Sequence, residues 1–227
     1  MAILSGNVIG NLSGKLGNLA ARTVYGQTIM SARPSSFNVS YSDAVVEVRQ
    51  KFAVTGSFSK AVLDSQNLKE IWDKVRIQGI STFNTIFKSN YPFSTSLHPT
   101  ISNIITPDGF TSPVASCSIV GQNLTVQLNP LISVNTFSAE ELNISLSALV
   151  VLHTPISVDD PEFRIFNLEK DVELFNFQSA YTAELPLSTV QSALIGKYSN
   201  SIFYVTCITR TVANKIVQHS ATYSIQI

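Results

Sequence analysis

Residues 202–227 read IFYVTCITRTV-ANK-IVQHSATYSIQI, and this stretch decides the fold class. Phe203, Val205 and Cys207 alternate with Tyr204, Thr206 and Ile208 in a run of β-branched and aromatic residues, a composition that fits a pleated, half-buried surface. Ala213-Asn214-Lys215 supplies a tight turn, so Ile202–Val212 and Ile216–Ile227 are expected to fold back on each other as a hairpin. The same texture recurs upstream at Ala115–Val120, Leu124–Asn129, Leu142–His153, Phe163–Phe166, Val172–Phe177 and Tyr181–Leu185, with Thr125-Val126-Gln127-Leu128 again at period two. Ser188–Lys197 reads as one or two helical turns. Seven or eight short strands within residues 106–227 predict an antiparallel sandwich of Ig-like plan. Tyr204 lies three residues before Cys207 rather than two, and the only Trp lies outside the region, so the expectation is the architecture and not Ig descent.

Residues 41–105 are expected to form a small helical section. Ser42 or Asp43 is an N-cap before the pattern Val45, Val48, Phe52. Gly56 and Ser57 interrupt that pattern, and Phe58, Val62 and Leu63 suggest a further short turn. The clearest helix spans about Ser65 to Ile77, with Leu68, Ile71, Trp72 and Val75 on one face and Gly79 as its stop. Ile80, Phe83 and Phe87 continue into a short helix before Pro92, and Trp72 and Phe83 are assigned to packing. Residues 1–40 read as an extended glycine-rich docking arm punctuated by Gly6, Gly10, Gly14, Gly17 and Gly26. A short hairpin is expected over Arg22–Ala32, followed by a linker from Arg33 to Tyr41 in which Pro34 biases Arg33 toward extended geometry. The predicted class is therefore α+β: arm, helical section, sandwich.

Charged residues make up 13% of the 227, where about 25% is usual. A surface built from Ser, Thr, Asn and Gln is cheap to desolvate and suits a protein held among neighbours. The net charge of zero hides a polarity: ten Lys/Arg against five acids up to Thr106, and five against ten after it, giving +5 and −5. Such a charge is too thin for nucleic-acid binding. Met1–Leu12 lacks a basic segment and an apolar run, so no secretory signal is expected, and the longest apolar stretch, Ala148–Leu152, is too short to cross a bilayer. Cys117 and Cys207 are read as free core thiols, with a bond across the sandwich as the alternative.

Tests for chemistry find none. Gly10–Leu16 is one residue short of a phosphate loop and has Leu16 where a hydroxyl is needed, so no nucleotide cofactor is expected. His98, His153 and His219 lie in three separate segments without a carboxylate or cysteine at ligand spacing, so neither a metal site nor a nucleophile–base pair is expected. Asp159-Asp160-Pro161-Glu162 reads as a solvated loop, with weak calcium binding as a lesser alternative. The chain is thus expected not to be an enzyme.

The run Gly14-Lys15-Leu16-Gly17-Asn18, followed by Arg22-x-x-Tyr25-Gly26-Gln27, Arg33 beside Pro34, and Arg49-x-x-Phe52, resembles a domain of unknown function widespread in Bacteroidota and their phages. The resemblance covers about the first ninety residues, with Tyr25 where the family pattern has Trp and without its usual Thr-x-x-Gln before the helix. An arm followed by an Ig-like sandwich is similar to virion proteins of crAss-like phages, their auxiliary capsid proteins above all. The resemblance implies a virion structural protein, assembled in the host cytoplasm and present in many copies. It would be bound to the capsid shell through Gly6, Gly10, Gly14, Lys15, Gly17, Arg22, Tyr25, Gly26 and Arg33, with other virion proteins as partners and neither nucleic acid nor membrane among them. A ring or adaptor subunit of the neck or tail is the alternative, and a carbohydrate-binding module is a second one.

Overall fold

The computed structural model describes residues 2–4, 13–24, 27–33, 36, 39–76 and 78–227. The chain divides into two units, Met1–Val45 and Val46–Ile227. It is a mixed α and β protein: the described residues form four α-helices and antiparallel sheets, and strands dominate the C-terminal part.

The first unit carries β1 (Ala2–Leu4), β2 (Gly14–Leu16), β3 (Leu19–Val24) and β4 (Gln27–Ala32), paired antiparallel in the order β1-β4-β3-β2. The hairpin expected across Gly26 is β3 and β4, in register Val24↔Gln27. The sequence predicts only that hairpin here, in an otherwise extended arm; the structure adds a strand on each side. Gly17 and Asn18 close β2 onto β3. Gly17 has φ +58°, as the first central residue of a II′ turn requires, and a side chain there would be strained.

Helix α1 (Asp43–Asp64) runs unbroken through Gly56, where the sequence suggests an interruption. Packing outweighs the roughly 1 kcal/mol that a mid-helix glycine costs, because Phe58 and Val62 in the next turns are fully buried. The Thr55 and Ser59 hydroxyls are satisfied within the helix, donating to the Lys51 and Thr55 carbonyls. Helix α2 (Gln66–Val75) is capped by Ser65, whose hydroxyl accepts from the Leu68 N–H, and α3 (Thr82–Asn90) is capped likewise by Ser81. Ile77, where the sequence ends the second helix, lies outside the described residues. Gly79, at φ +82°, turns the chain between α2 and α3.

Two sheets follow. One joins β5 (Val114–Val120), β6 (Asn123–Leu128) and β9 (Tyr181–Pro186) in the order β5-β6-β9. The other joins β7 (Glu141–Pro155), β8 (Phe163–Val172), β10 (Tyr198–Thr211), β11 (Ile216–His219) and β12 (Tyr223–Gln226), in the order β11-β10-β7-β8 with β12 also on β10. The two sheets share one core: Leu124, Val126, Ala183 and Leu185 meet Leu146, Ala148, Val150, Phe203, Val205 and Cys207. The opposite face of the larger sheet presents Leu149, Val151, Ile202 and Tyr204 to Phe58, Val62, Leu68, Trp72 and Ile86 of the helices. This sheet is therefore the middle layer of three. Burial on both faces explains the unbroken apolar run Ala148–Leu152, since a central strand has no polar side to alternate with.

Three local details depart from the sequence reading. The runs Phe163–Phe166 and Val172–Phe177 are not two strands: β8 passes continuously through Asn167–Asp171 and ends at Val172. Its acids Glu169 and Asp171 find partners on the sheet's helix-facing side, where Ser145 donates to Asp171 and Ser65 donates to Glu169. The last strand is split into β11 and β12, because Phe110 exchanges backbone hydrogen bonds with His219 and Ala221 at 3.1 and 2.7 Å. Gly109 makes that approach possible; a Cβ there would lie 2.7 Å from the Ser220 carbonyl carbon. Finally, the expected apolar face of α1 is not core, since Val48 and Phe52 are about half exposed.

Candidate interaction surface

The residues singled out at the N-terminus fall partly on the first unit's sheet. Gly6, Gly10, Tyr25 and Gly26 lie outside the described residues. Gly14 opens β2 at φ +119°, Lys15 is exposed within β2, and Gly17 makes the turn into β3. The G-K-L-G-N run is thus one strand and its turn. Arg33 is tied to the same turn, its N–H donating to the Asn18 carbonyl at 2.7 Å. Lys15 pairs with Ala20, and Arg22 lies two residues further along β3, so period-two alternation puts both cations on one face. Leu19, Ala21, Thr28 and Met30 fall on the other face. No acid precedes Asp43, so this unit has a basic face and a largely apolar one. Among its residues whose side-chain burial is described, only Thr28 is buried.

A second surface lies in the second unit. Phe52 of α1 packs on Phe87 and Tyr91 at ring-centroid distances of 4.9 and 5.1 Å, and Phe83 follows at 6.1 Å from Phe87. The Lys51 ammonium sits 4.9 Å above the Tyr91 ring. Phe83, assigned to packing, packs within this cluster but remains half-buried, whereas Trp72 is buried and its indole N–H donates to the Ile105 carbonyl at 2.8 Å. Phe52 is tilted at 42° and 58° to Phe87 and Tyr91, which themselves lie at 22° to each other.

The fold also joins residues that the sequence leaves apart. His98 stacks on His153 with centroids 4.0 Å apart. The His98 Nδ1 pairs with the Pro99 carbonyl at 2.7 Å, and the His153 Nδ1 pairs with the Thr154 hydroxyl at 3.0 Å. Burial, and secondarily the neighbouring His98, holds the His153 pKa below 6.5. Burial also lowers that of His219, against the opposing hydrogen bond to the Asp108 carbonyl. A cleft of about 400 Å³ opens beside His98, lined also by Thr154, Asp160 and Glu162. Within the acidic loop, Asp160 pairs with Lys197 at 3.2 Å. Nothing in the spacing of residues 98 and 153 announces their stacking; only the loop after α3 crossing the end of β7 creates it. Cys117 and Cys207 are free and buried, and desolvation pushes both thiols up to about 12.

Among the described residues no group of three or more His, Cys, Asp or Glu side chains could hold a metal ion, and no helix is long and apolar enough to cross a membrane. No protein-family model matches the chain, and no curated protein matches it.

Proposed function

We propose that this chain is a non-enzymatic structural subunit of a tailed-phage virion, an auxiliary protein bound to the capsid shell through its N-terminal part. The observation that carries the reading is the first unit's sheet: four strands, with β1 and β2 as its edges among the described residues, and Thr28 as the single buried side chain among those whose burial is described. About 45 residues are too few to be well stabilised by their own burial, and open strand edges invite pairing with another chain. A neighbouring subunit supplies both the missing cover and the missing strand. In this reading the sheet is the folded form of the glycine-rich docking arm, with Lys15, Arg22 and Arg33 facing an acidic surface of the shell.

The second unit is read as an Ig-like sandwich with a helical layer added. Taking β5, β6, β7, β8, β9, β10 and β11 as strands A, B, C, C′, E, F and G gives sheets A-B-E and C′-C-F-G, the division of that plan. Quantitative mass spectrometry of purified particles tests the function. The shell reading expects the chain in high copy number, comparable with the main shell protein; a chain missing from washed particles sinks it, and a copy number near a dozen moves it to a neck or tail ring.

A further inference from the structure

We propose that this chain docks head to tail onto a second copy of itself, through the aromatic face of α1 and α3 on one copy and the loop at residues 156–162 on the next. This rests on the assembly reading above and adds a partner to it. The face is built around Phe52, 53% exposed, and Val48, 50% exposed. Contacts among the rings of Phe52, Phe87 and Tyr91 hold it in one arrangement, so little side-chain entropy remains to be lost on binding. On the same two helices around it Arg49, Lys51 and Lys88 outnumber Glu47, and among the described residues none of the four is in an ion pair. The occupant must therefore bring apolar surface and negative charge together.

The loop between β7 and β8 does so. Val158 is 99% exposed and Ile156 69%, and Asp159, Asp160 and Glu162 follow them. Asp160 is engaged by Lys197, which leaves Asp159 and Glu162 available to a partner. The loop is pre-shaped: the Ile156 N–H donates to the Lys197 carbonyl at 2.9 Å, and the Tyr198 hydroxyl donates to the Pro161 carbonyl at 3.0 Å. An apolar, acidic projection thus matches an apolar, basic face.

The two cannot meet within one chain. Glu162 and Phe163 line a cleft with Gln50, Ala53 and Ser57 on one side of α1. Val48 and Phe52 lie roughly 150° round the helix from that stripe at 3.6 residues per turn. Each copy consequently keeps one free face and one free loop. A contact between unlike surfaces repeats, and it either closes into a ring or runs on as a filament.

Sedimentation velocity of the full chain over a concentration series tests this. The sedimentation coefficient is expected to rise with concentration and to fall back in high salt, because exposed rim charges are screened. Val158→Asp disables the loop and Phe52→Asp the face, and each variant alone should remain monomeric. Their equimolar mixture should form a dimer and nothing larger, since one intact face and one intact loop can then meet once. Val48→Asp repeats the face arm without touching the ring contacts, should Phe52→Asp disturb folding. A wild-type chain that stays monomeric throughout, variants that assemble like wild type, or a mixture that stays monomeric each overturns the self-docking. Particle copy number judges the assembly reading separately, so the two can fail independently.

Discussion

Replacing Trp72 by Phe should destabilise the second unit by about 2–4 kcal/mol. Trp72 joins α2 to the middle sheet layer, packed with Phe58, Leu68, Ile86 and Tyr204. Its indole N–H donates to the carbonyl of Ile105, a fully buried residue, at 2.8 Å. Phenylalanine leaves that carbonyl without its donor, which costs about 1–3 kcal/mol. The smaller ring forfeits a further one or two methylene equivalents at about 0.8 kcal/mol each. In a unit of this size each kcal/mol lowers Tm by about 2–4 °C, so a thermal melt followed by circular dichroism should shift down by about 4–16 °C. Urea titrations should give an unchanged slope and a lower midpoint. Because Trp72 is the chain's only tryptophan, native wild-type emission should be blue-shifted and shielded from quenchers. A loss under about 0.5 kcal/mol, or an emission maximum typical of water, would refute the three-layer packing.

Cys117 and Cys207 should resist alkylation in the native protein, since burial holds both thiols near 12 and the thiolate is the reactive form; Ala at either site should cost about 1–2 kcal/mol, and a mass shift showing a bond between them would contradict the free-thiol assignment. Stability should fall on acidification. His153 and His219 both have folded values below 6.5, so the unfolded chain takes up protons first; their contribution is complete above about pH 6.5 and is lost as pH falls through the folded values. Denaturant titrations between about pH 7 and 5 should show this slope, and His153→Gln should flatten it; a variant with an undiminished slope would remove His153 from the account. Gly109→Ala should lower stability by about 1–3 kcal/mol, because its Cβ meets backbone that cannot swing aside; a neutral result would mean that Phe110 does not lie between β11 and β12.

The sequence is most legible where one physical pattern acts alone. The alternation over Phe203–Ile208 and the apolar face Leu68, Ile71, Trp72 each name an element that the structure contains, and Ser188 with Gln191 forms the capping box of α4 (Thr189–Ile195). It misleads where distant partners decide. Glu169-Lys170-Asp171 looks like a loop until Ser65 and Ser145 supply donors from other elements. Gly56 looks like a break until the burial of Phe58 and Val62 is weighed against it. Phe52 looks like core because spacing marks an apolar face without saying whether anything covers it. The candidate N-terminal residues are recognisable as a motif, but their arrangement into a basic face and an apolar face depends on strand register, which local spacing does not reveal.

The structure of the assembled particle decides whether the N-terminal part is the docking element. Each copy is expected to touch at least two other chains, with residues 1–100 supplying most of the buried area and an edge strand of the first unit's sheet paired or covered by a neighbour. With a standard interface of about 800 Å² per partner, the apolar half alone supplies several kcal/mol before entropy losses, enough to seat a small sheet on a neighbour. A copy attached by one small contact, or held wholly through the β-sandwich with the N-terminal sheet left bare in solvent, would contradict it.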